Sequence, residues 1–450
     1  MKGRITGVTV EYDKLINGDY TEYVERINGF NILSPKSKLR FINRYLQESF
    51  EEFSGKNAGI CYMSKPYDNL SLEDSDKSKE RFNRTIKNTH HSISDHCYIT
   101  VVFEEAPKFF AMITNSFQTY ATSEKSARYT VMENLSKKEN KLYNKWIKIF
   151  KDIFMNDKDV DEKDAVKLAQ ENARYFISIF SPSTTFSYTT SLRQWNYIYD
   201  WFHKFTLLEP SEELKDNSTL YEFYRRTIRF MDDFQDWFGS SLIYQSLIED
   251  PKSRTIDFIP QLYPGVNERI YQRTVISDVY AVTYEVSFAS LAQLQRHRSI
   301  KYVINDFVSR MVDNEFRFIL PEILEDKPGL IKDWINDMRS ISHLYPQGLV
   351  VEVAELGTID KFLLKCDERL CGRTQLETMK CCSQLLTKFA SLANMTDALS
   401  PYFRDIICNK WITVKPDGTI LPKAKCQVRE GGCSDSGCIH GPLNALTRDF

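Results

Sequence analysis

The sequence predicts an α+β protein in two domains, on three observations. At 450 residues the chain exceeds what one ordinary hydrophobic core organises, so two cores are expected. Strand patterns occur twice: the β-rich run Tyr98-Ile99-Thr100-Val101-Val102-Phe103, and the alternation of Tyr280, Val282, Tyr284 and Val286 with other residues. Helical spacing of apolar residues runs over Lys38 to Phe53, over 135 to 155 and over Asp161 to Phe176.

Composition narrows the function classes. Hydrophobic content of 42% fits a globular chain, and a formal charge of -2 excludes the basic excess that general nucleic-acid binding needs. Any anion is therefore held by a local cluster. No apolar run approaches the roughly 20 residues of a membrane span, and Met1 to Gly7 lacks a signal peptide's apolar centre. The expectation is a soluble, cytoplasmic protein with no membrane partner.

The first helix carries Phe41, Ile42, Tyr45, Leu46 and Phe50 on one face and has a structural role. Residues 65 to 85 form a charged, turn-rich surface loop entering a helix. Next, His90-His91-Ser92-Ile93-Ser94-Asp95-His96 gathers three of the seven histidines. A zinc site, a hydrogen-bonding site for a polar heteroaromatic ligand and a capped helix start all compete here, although His90 and His96 lack the i, i+4 spacing of helical ligands. After Ala106-Pro107 a helix-like stretch leads to Ser123-Glu124-Lys125-Ser126-Ala127-Arg128-Tyr129. Serine, a small residue and arginine in succession can wrap a phosphate.

Leu142, Trp146, Ile149, Phe150 and Ile153 make the helix at 135 to 155 a core element, and the following helix carries Arg174 near its end. Phe186 to Trp195 comes next, then a polar loop at 210 to 218. The pattern breaks over Gly239 to Pro251, which places the boundary between domains at 1 to 245 and 246 to 450.

In the second domain, Gln293-Leu294-Gln295-Arg296-His297-Arg298 follows the strand and a helix start. Two arginines around a histidine make either an anion site or an exposed basic turn. Helical spacing then continues through Val303, Phe307 and Met311, and Phe316 to Pro321 resembles a strand or its exit. Eight of the ten cysteines fall between Cys366 and Cys438, and in a reducing compartment metal binding and buried thiols are the competing explanations. The tail holds Cys426-x6-Cys433-x4-Cys438-x-His440.

Together these dispersed motifs resemble the flavin-dependent thymidylate synthases. His90 to His96 is similar to the family's flavin-contacting His-His-Ser-x-x-Glu-His element, with Asp95 in place of the glutamate. Gln293 to Arg298 is similar to its glutamine followed by Arg-His-Arg, and Ser126 to Tyr129 to the Ser-x-Arg-Tyr that ends the same motif. An internal repeat accounts for the wide separation of these parts. Ser116-Phe117-Gln118 stands where the first half would carry Arg-His-Arg, whereas Asp306 and Val308 stand where the second would carry serine and arginine. Likewise Arg174 faces Ser342, and Arg369 faces Phe202. Each half keeps what the other has lost.

The resemblance implies two tandem family-like domains, each an antiparallel sheet with helices, forming a pseudo-dimer that dimerises again. It implies one composite site binding dUMP through Glu124, Ser126, Ala127, Arg128 and Arg174 from one half and Gln293 and Arg369 from the other. Arg174 and Arg369 would carry the catalytic charge stabilisation. FAD would be held by His90, Ser92, Asp95, Arg193, Arg296, His297 and Arg298, with NADPH and methylenetetrahydrofolate as co-substrates. Arg369 to Glu377 also resembles a cysteine-bearing branch of the family, which implies a structural zinc on Cys371, Cys426, Cys433 and Cys438, with Cys366 or His440 able to substitute. Ser191 and Tyr197 replace two asparagines expected near the flavin, and Met379 replaces an arginine. Those departures leave room for another pyrimidine nucleotide as substrate, or for a non-catalytic nucleotide-binding descendant. A zinc-stabilised interaction protein would leave Arg296 to Arg298 unexplained.

Overall fold

The computed structural model describes residues 1–10, 35–61, 66–88, 90–117, 119–207, 212–216, 218–238, 278–306, 317–395 and 399–428. Residues 63, 209–210, 274–276, 438, 440 and 446–448 are described besides. Two compact units emerge. The first comprises Met1–Lys125, Thr184–Lys215 and Tyr221–Ile259; the second comprises Ser126–Ser183, Asp216–Leu220 and Pro260–Phe450. The segment Ser126–Ser183 thus packs with the C-terminal half of the chain. The boundary expected over Gly239 to Pro251 lies outside the described residues.

In chain order the elements are β1 (Lys2–Val8), α1 (Pro35–Ile60), α2 (Ser75–Lys87), β2 (Tyr98–Ala106), α3 (Lys108–Thr114), β3 (Tyr120–Glu124), α4 (Lys137–Asn156) and α5 (Glu162–Ala173). There follow β4 (Thr184–Ser191), α6 (Leu192–Leu207), α7 (Ser218–Phe238), β5 (Thr274–Ile276), β6 (Val279–Ser287), α8 (Phe288–Leu294) and β7 (Lys301–Asp306). The chain continues with α9 (Pro328–Ser340), β8 (Val350–Thr358), α10 (Ile359–Arg369), α11 (Leu376–Met395), β9 (Ile412–Val414) and β10 (Ile420–Pro422). The architecture is α+β with antiparallel sheets.

The first unit's sheet has the order β1-β2-β4-β3, and the second unit's has β5-β6-β8-β7. In both, a strand passes directly into a short helix, a third strand follows, and the fourth runs into a long helix. β2 shows why these residues form a strand: Ile99, Val101 and Phe103 point inward and are fully buried, while Tyr98 and Glu104 face out. The inner face stacks Phe103 on Phe186, with ring centroids 5.1 Å apart. Within this unit α1 crosses α2 closely enough that a Cβ on Gly55 would overlap the Ser78 carbonyl oxygen, so only glycine fits.

The second unit's core is built on Trp334 of α9. Its ring meets Phe176 at 4.6 Å and Trp146 of α4 at 4.9 Å, and its indole N–H donates to the Ile319 carbonyl at 3.0 Å. At the start of α4, Ser136 and Glu139 form a capping box. The buried Glu139 carboxylate also accepts from the Ser178 amide at 2.8 Å and the Ser181 hydroxyl at 2.5 Å. That carboxylate fixes the turn following the 3-10 segment Arg174–Phe176. A second 3-10 segment, Ser342–Leu344, ends in an equivalent turn, and the two turns pair antiparallel at Ser178 and Pro346.

Three expectations are corrected. The stretch after Ala106-Pro107 is not a helix up to Ser123, because α3 ends at Thr114 and β3 pairs with β4 from Tyr120 to Glu124. Val303 lies in a strand, not a helix: Tyr302-Val303-Ile304 is aromatic and β-branched, and it pairs with Val353 to Glu355 of β8. Spacing of four residues suits a helix, but sheet pairing decides it; Phe307 and Met311 lie outside the described residues. Residues 210 to 218 are not all loop, since Glu212–Asp216 forms a helical turn.

Candidate functional site

The second unit gathers three arginines around the loop between α10 and α11. Four consecutive loop residues accept from them. Arg448 donates through Nη1 to the Gly372 carbonyl and through Nη2 to the Thr374 carbonyl. Arg128 donates through Nη2 to the Arg373 carbonyl and through Nε to Glu171. Arg174 donates through Nη2 to Gln375 Oε1. Arg174 and Arg448 are 8% and 7% exposed, so these are interior cations, and neither Nε has a hydrogen-bond partner.

Electrostatically the three are one group. Burial pulls the Arg174 guanidinium below the usual arginine range, opposed by Glu171 and assisted by Arg128. Arg448 is lowered by burial too, with Glu171 and Arg128 acting in the same opposed senses. On Arg128 burial also disfavours the charge, yet Glu171 and its hydrogen bond leave the group above its ordinary value. Three guanidiniums share the Glu171 carboxylate, so the cluster holds an excess of positive charge in a poorly solvated place. Such a place suits a phosphate.

A chain of hydrogen bonds leads onward. Gln375 donates to the Tyr175 hydroxyl, which donates to Glu377 Oε2 at 2.8 Å. Glu377 also accepts from the Ser287 amide at 2.6 Å and the Ser287 hydroxyl at 2.7 Å, and burial raises its carboxyl. Beside this chain lies a cavity of about 500 Å³, lined among others by Glu171, Tyr175, Tyr284, Gln375, Glu377 and Lys380. Glu171 and Gln375 thus face both the cavity and the arginines.

Gln293 and Arg369 meet at the end of α8: Arg369 Nη2 donates to the Gln293 carbonyl at 3.1 Å, and Gln293 Oε1 accepts from Thr378 at 3.0 Å. Arg369 Nε has no hydrogen-bond partner. The Arg296-His297-Arg298 triplet splits, with both arginines exposed and His297 buried. Burial, with Arg369 and Lys365 nearby, drives the His297 imidazole down to about 2, so it works as a neutral ring. In the unfolded chain the imidazole takes up its proton near 6.5. The folded-state value being the lower, this contribution to stability is complete above that pH and is lost as pH falls. The loss runs at ~1.4 kcal/mol per pH unit, about 2 kcal/mol by pH 5. His297→Gln should flatten that slope in denaturation at pH 7 and pH 5; an unchanged slope, or a ring titrating near pH 6 by NMR, would contradict it.

The first unit holds the other expected residues. Glu124, on β3, accepts from Lys108 at 2.6 Å and from Thr184 at 3.0 Å. His91 to His96 forms a 3-10 turn, with Ser94 bonded back to the His91 carbonyl at 2.6 Å. Asp95 accepts from Ser191 at 2.7 Å and from Arg193 at 2.9 Å, while Arg193 Nε and His91 Nδ1 both meet the Tyr197 hydroxyl, at 3.1 and 3.0 Å. Ser191 and Tyr197, the two departures from the asparagines expected here, thus complete a network around Asp95. His90 and Ser92 are exposed and Arg193 partly so. As donors these three fit the polar edge or the pyrophosphate of a flavin.

Around Gly372 the tail comes in close. A Cβ there would lie 3.0 Å from Cys438 Sγ and 3.2 Å from the His440 Cβ, and the Lys425 amide donates to the Leu370 carbonyl at 2.7 Å. Among the described residues no group of three His, Cys, Asp or Glu side chains is arranged to hold a metal; Cys433 lies outside them. No helix among the described residues is long and apolar enough to cross a membrane. Reasoning from sequence missed Arg448, Glu171 and Tyr175. None of the three sits in a motif or a periodic pattern that marks it.

A family model described as thymidylate synthase complementing protein matches residues 48–204, about a third of the chain. Among solved structures, the UMP/dUMP methylase PolB from Streptomyces cacaoi bound with 5-Br dUMP is similar to this chain at 14% identity, covering 43% of this chain and 92% of that one, with a TM-score of 0.25. No curated protein matches the chain.

Proposed function

We propose that the chain, whose residues 48–204 match the family model of the thymidylate synthase complementing proteins, the flavin-dependent thymidylate synthases, methylates dUMP to dTMP at one composite site. When bound, reduced FAD supplies a hydride and methylenetetrahydrofolate the carbon for the methyl group, NADPH restoring the flavin. The chain's own part is to bind and orient. Arg128 and Arg174, with Ser126 and Ala127 at the start of the same segment, hold the phosphate. Arg369 and Gln293 fix the pyrimidine and stabilise charge developing on it. In the first unit His90, Ser92, Asp95 and Arg193 hold the flavin.

The observation that carries this reading is the convergence of Arg128 and Arg174, from one half of the sequence, on the Gly372–Gln375 loop of the other. Two sheets of the same strand order, and the pairing of Ser178 with Pro346, support an origin in tandem duplication with domains near 1 to 245 and 246 to 450. Arg174 and Ser342 each open the 3-10 segment of their half, and Arg369 and Phe202 each stand ten residues after the first residue of a helix. Those placements support complementary loss. A cytoplasmic homodimer with a zinc on Cys371, Cys426, Cys433 and Cys438 completes the proposal. The network that engages Asp95 and Arg193 favours a second reading, a nucleotide-binding protein without flavin.

Visible spectra of the purified protein with added FAD, NADPH, dUMP and methylenetetrahydrofolate decide between them. Bound flavin, reoxidised on dUMP and folate addition with dTMP formed, one dUMP per chain and one zinc per chain, is the expected result. Two equivalent dUMP sites per chain would exclude the composite site. Flavin failing to bind while dUMP binds would establish the second reading.

A further inference from the structure

We propose that Arg448, on the C-terminal tail, is a third anion-binding arginine of the nucleotide site, contacting the phosphate beside Arg128 and Arg174. The inference rests on the functional reading above and extends it to a residue outside every motif of the chain. Three observations carry it. Arg448 is 7% exposed. An arginine is ordinarily solvated, so its burial calls for a partner. Its two Nη atoms share the Gly372–Gln375 loop with Arg128 and Arg174, alternating along consecutive residues. And its Nε, like that of Arg174, is buried without a hydrogen-bond partner, so the cluster holds two open donors on interior cations.

Charge points the same way. Glu171 is the only carboxylate bonded directly to the cluster among the described residues, and Glu377 stands beyond Tyr175 with its carboxyl raised by burial. Three guanidiniums against these acids leave a positive excess, which a phosphate monoester dianion offsets. Glu171 and Gln375, which bond Arg128 and Arg174, also line the adjoining cavity.

Calorimetric titration of the full-length protein with dUMP, deoxyuridine and inorganic phosphate tests this. Arg448→Ala should weaken dUMP and phosphate about tenfold or more and leave deoxyuridine unchanged, as expected for one charged hydrogen bond to the phosphate. Equal affinities in wild type and variant would overturn the proposal, as would an equal loss for dUMP and deoxyuridine, which marks a tail that only braces the loop. Should the alanine variant melt early, Arg448→Lys decides: it keeps the charge, loses the fork, and should weaken dUMP severalfold with deoxyuridine unaffected. Wild-type affinity in that variant would count against the proposal. Phosphate binding that depends on Arg448 without dUMP binding would leave this inference standing and remove the dUMP reading. Binding of dUMP that ignores Arg448 would do the reverse, and binding of neither ligand would remove both.

Discussion

Arg174→Lys should lower kcat/KM for dUMP about a hundredfold, or ~2.7 kcal/mol of transition-state binding, while the thermal midpoint moves by only a few degrees. The charge survives in lysine, so Glu171 keeps a buried cation nearby and the core of the second unit keeps its balance. What lysine lacks is the planar fork. Arg174 reaches Gln375 with one Nη and holds Nε free of any partner, so a ligand can use a second donor at a fixed angle. A lysine ammonium is a point charge that cannot bond Gln375 and an oxyanion in the same geometry. Gln375 then loses its orientation, and through Tyr175 so does Glu377. Initial rates of dTMP formation against dUMP concentration check this; a loss below threefold would show that Arg174 only fills the core.

Lys365→Met should destabilise the protein by about 3–5 kcal/mol, since it strands a buried carboxylate. Lys365 and Glu355 pair across the space between α10 and β8, and both side chains are 0% exposed. Burial opposes the charge on Lys365, but Glu355 outweighs it and raises the ammonium above its ordinary range. Glu355 Oε1 also accepts from the Tyr280 hydroxyl at 2.6 Å, and Oε2 accepts from Tyr284. Removing the cation leaves two phenols on a carboxylate that must either stay charged in a dry interior or take up a proton. Urea denaturation measures the loss, and the double variant Lys365→Met, Glu355→Leu should recover part of it. Full recovery is not expected, because the two tyrosine hydroxyls then lack an acceptor. A loss under 1 kcal/mol in the single variant would mean that water reaches the pair.

Much of the local structure was legible because its causes are local. Alternation in Tyr280 to Val286 and the β-rich Tyr98 to Phe103 marked β6 and β2, and apolar spacing marked α1, α4 and α5. β7 was not legible, since Val303 fits either period and only its partner strand decides. The site was legible in part. Arg128 and Arg174 stood out as arginines in phosphate-like or family-like contexts, whereas Arg448 sits in no pattern at all.

Residue type and short-range order by themselves determined which segments become strands and helices, and which side chains have the chemistry to hold an anion. Only the tertiary structure decided which of those side chains meet. Arg128 contacts a carbonyl 245 positions away, Arg174 a glutamine 201 away, and Arg448 doubles back onto Gly372. Asp95 likewise owes its partners to the pairing of β2 with β4, which carries Ser191 beside it. Periodicity reflects one element's need to bury a face, and it holds no information on which distant loop will supply the other half of a site. That follows from how the faces pack.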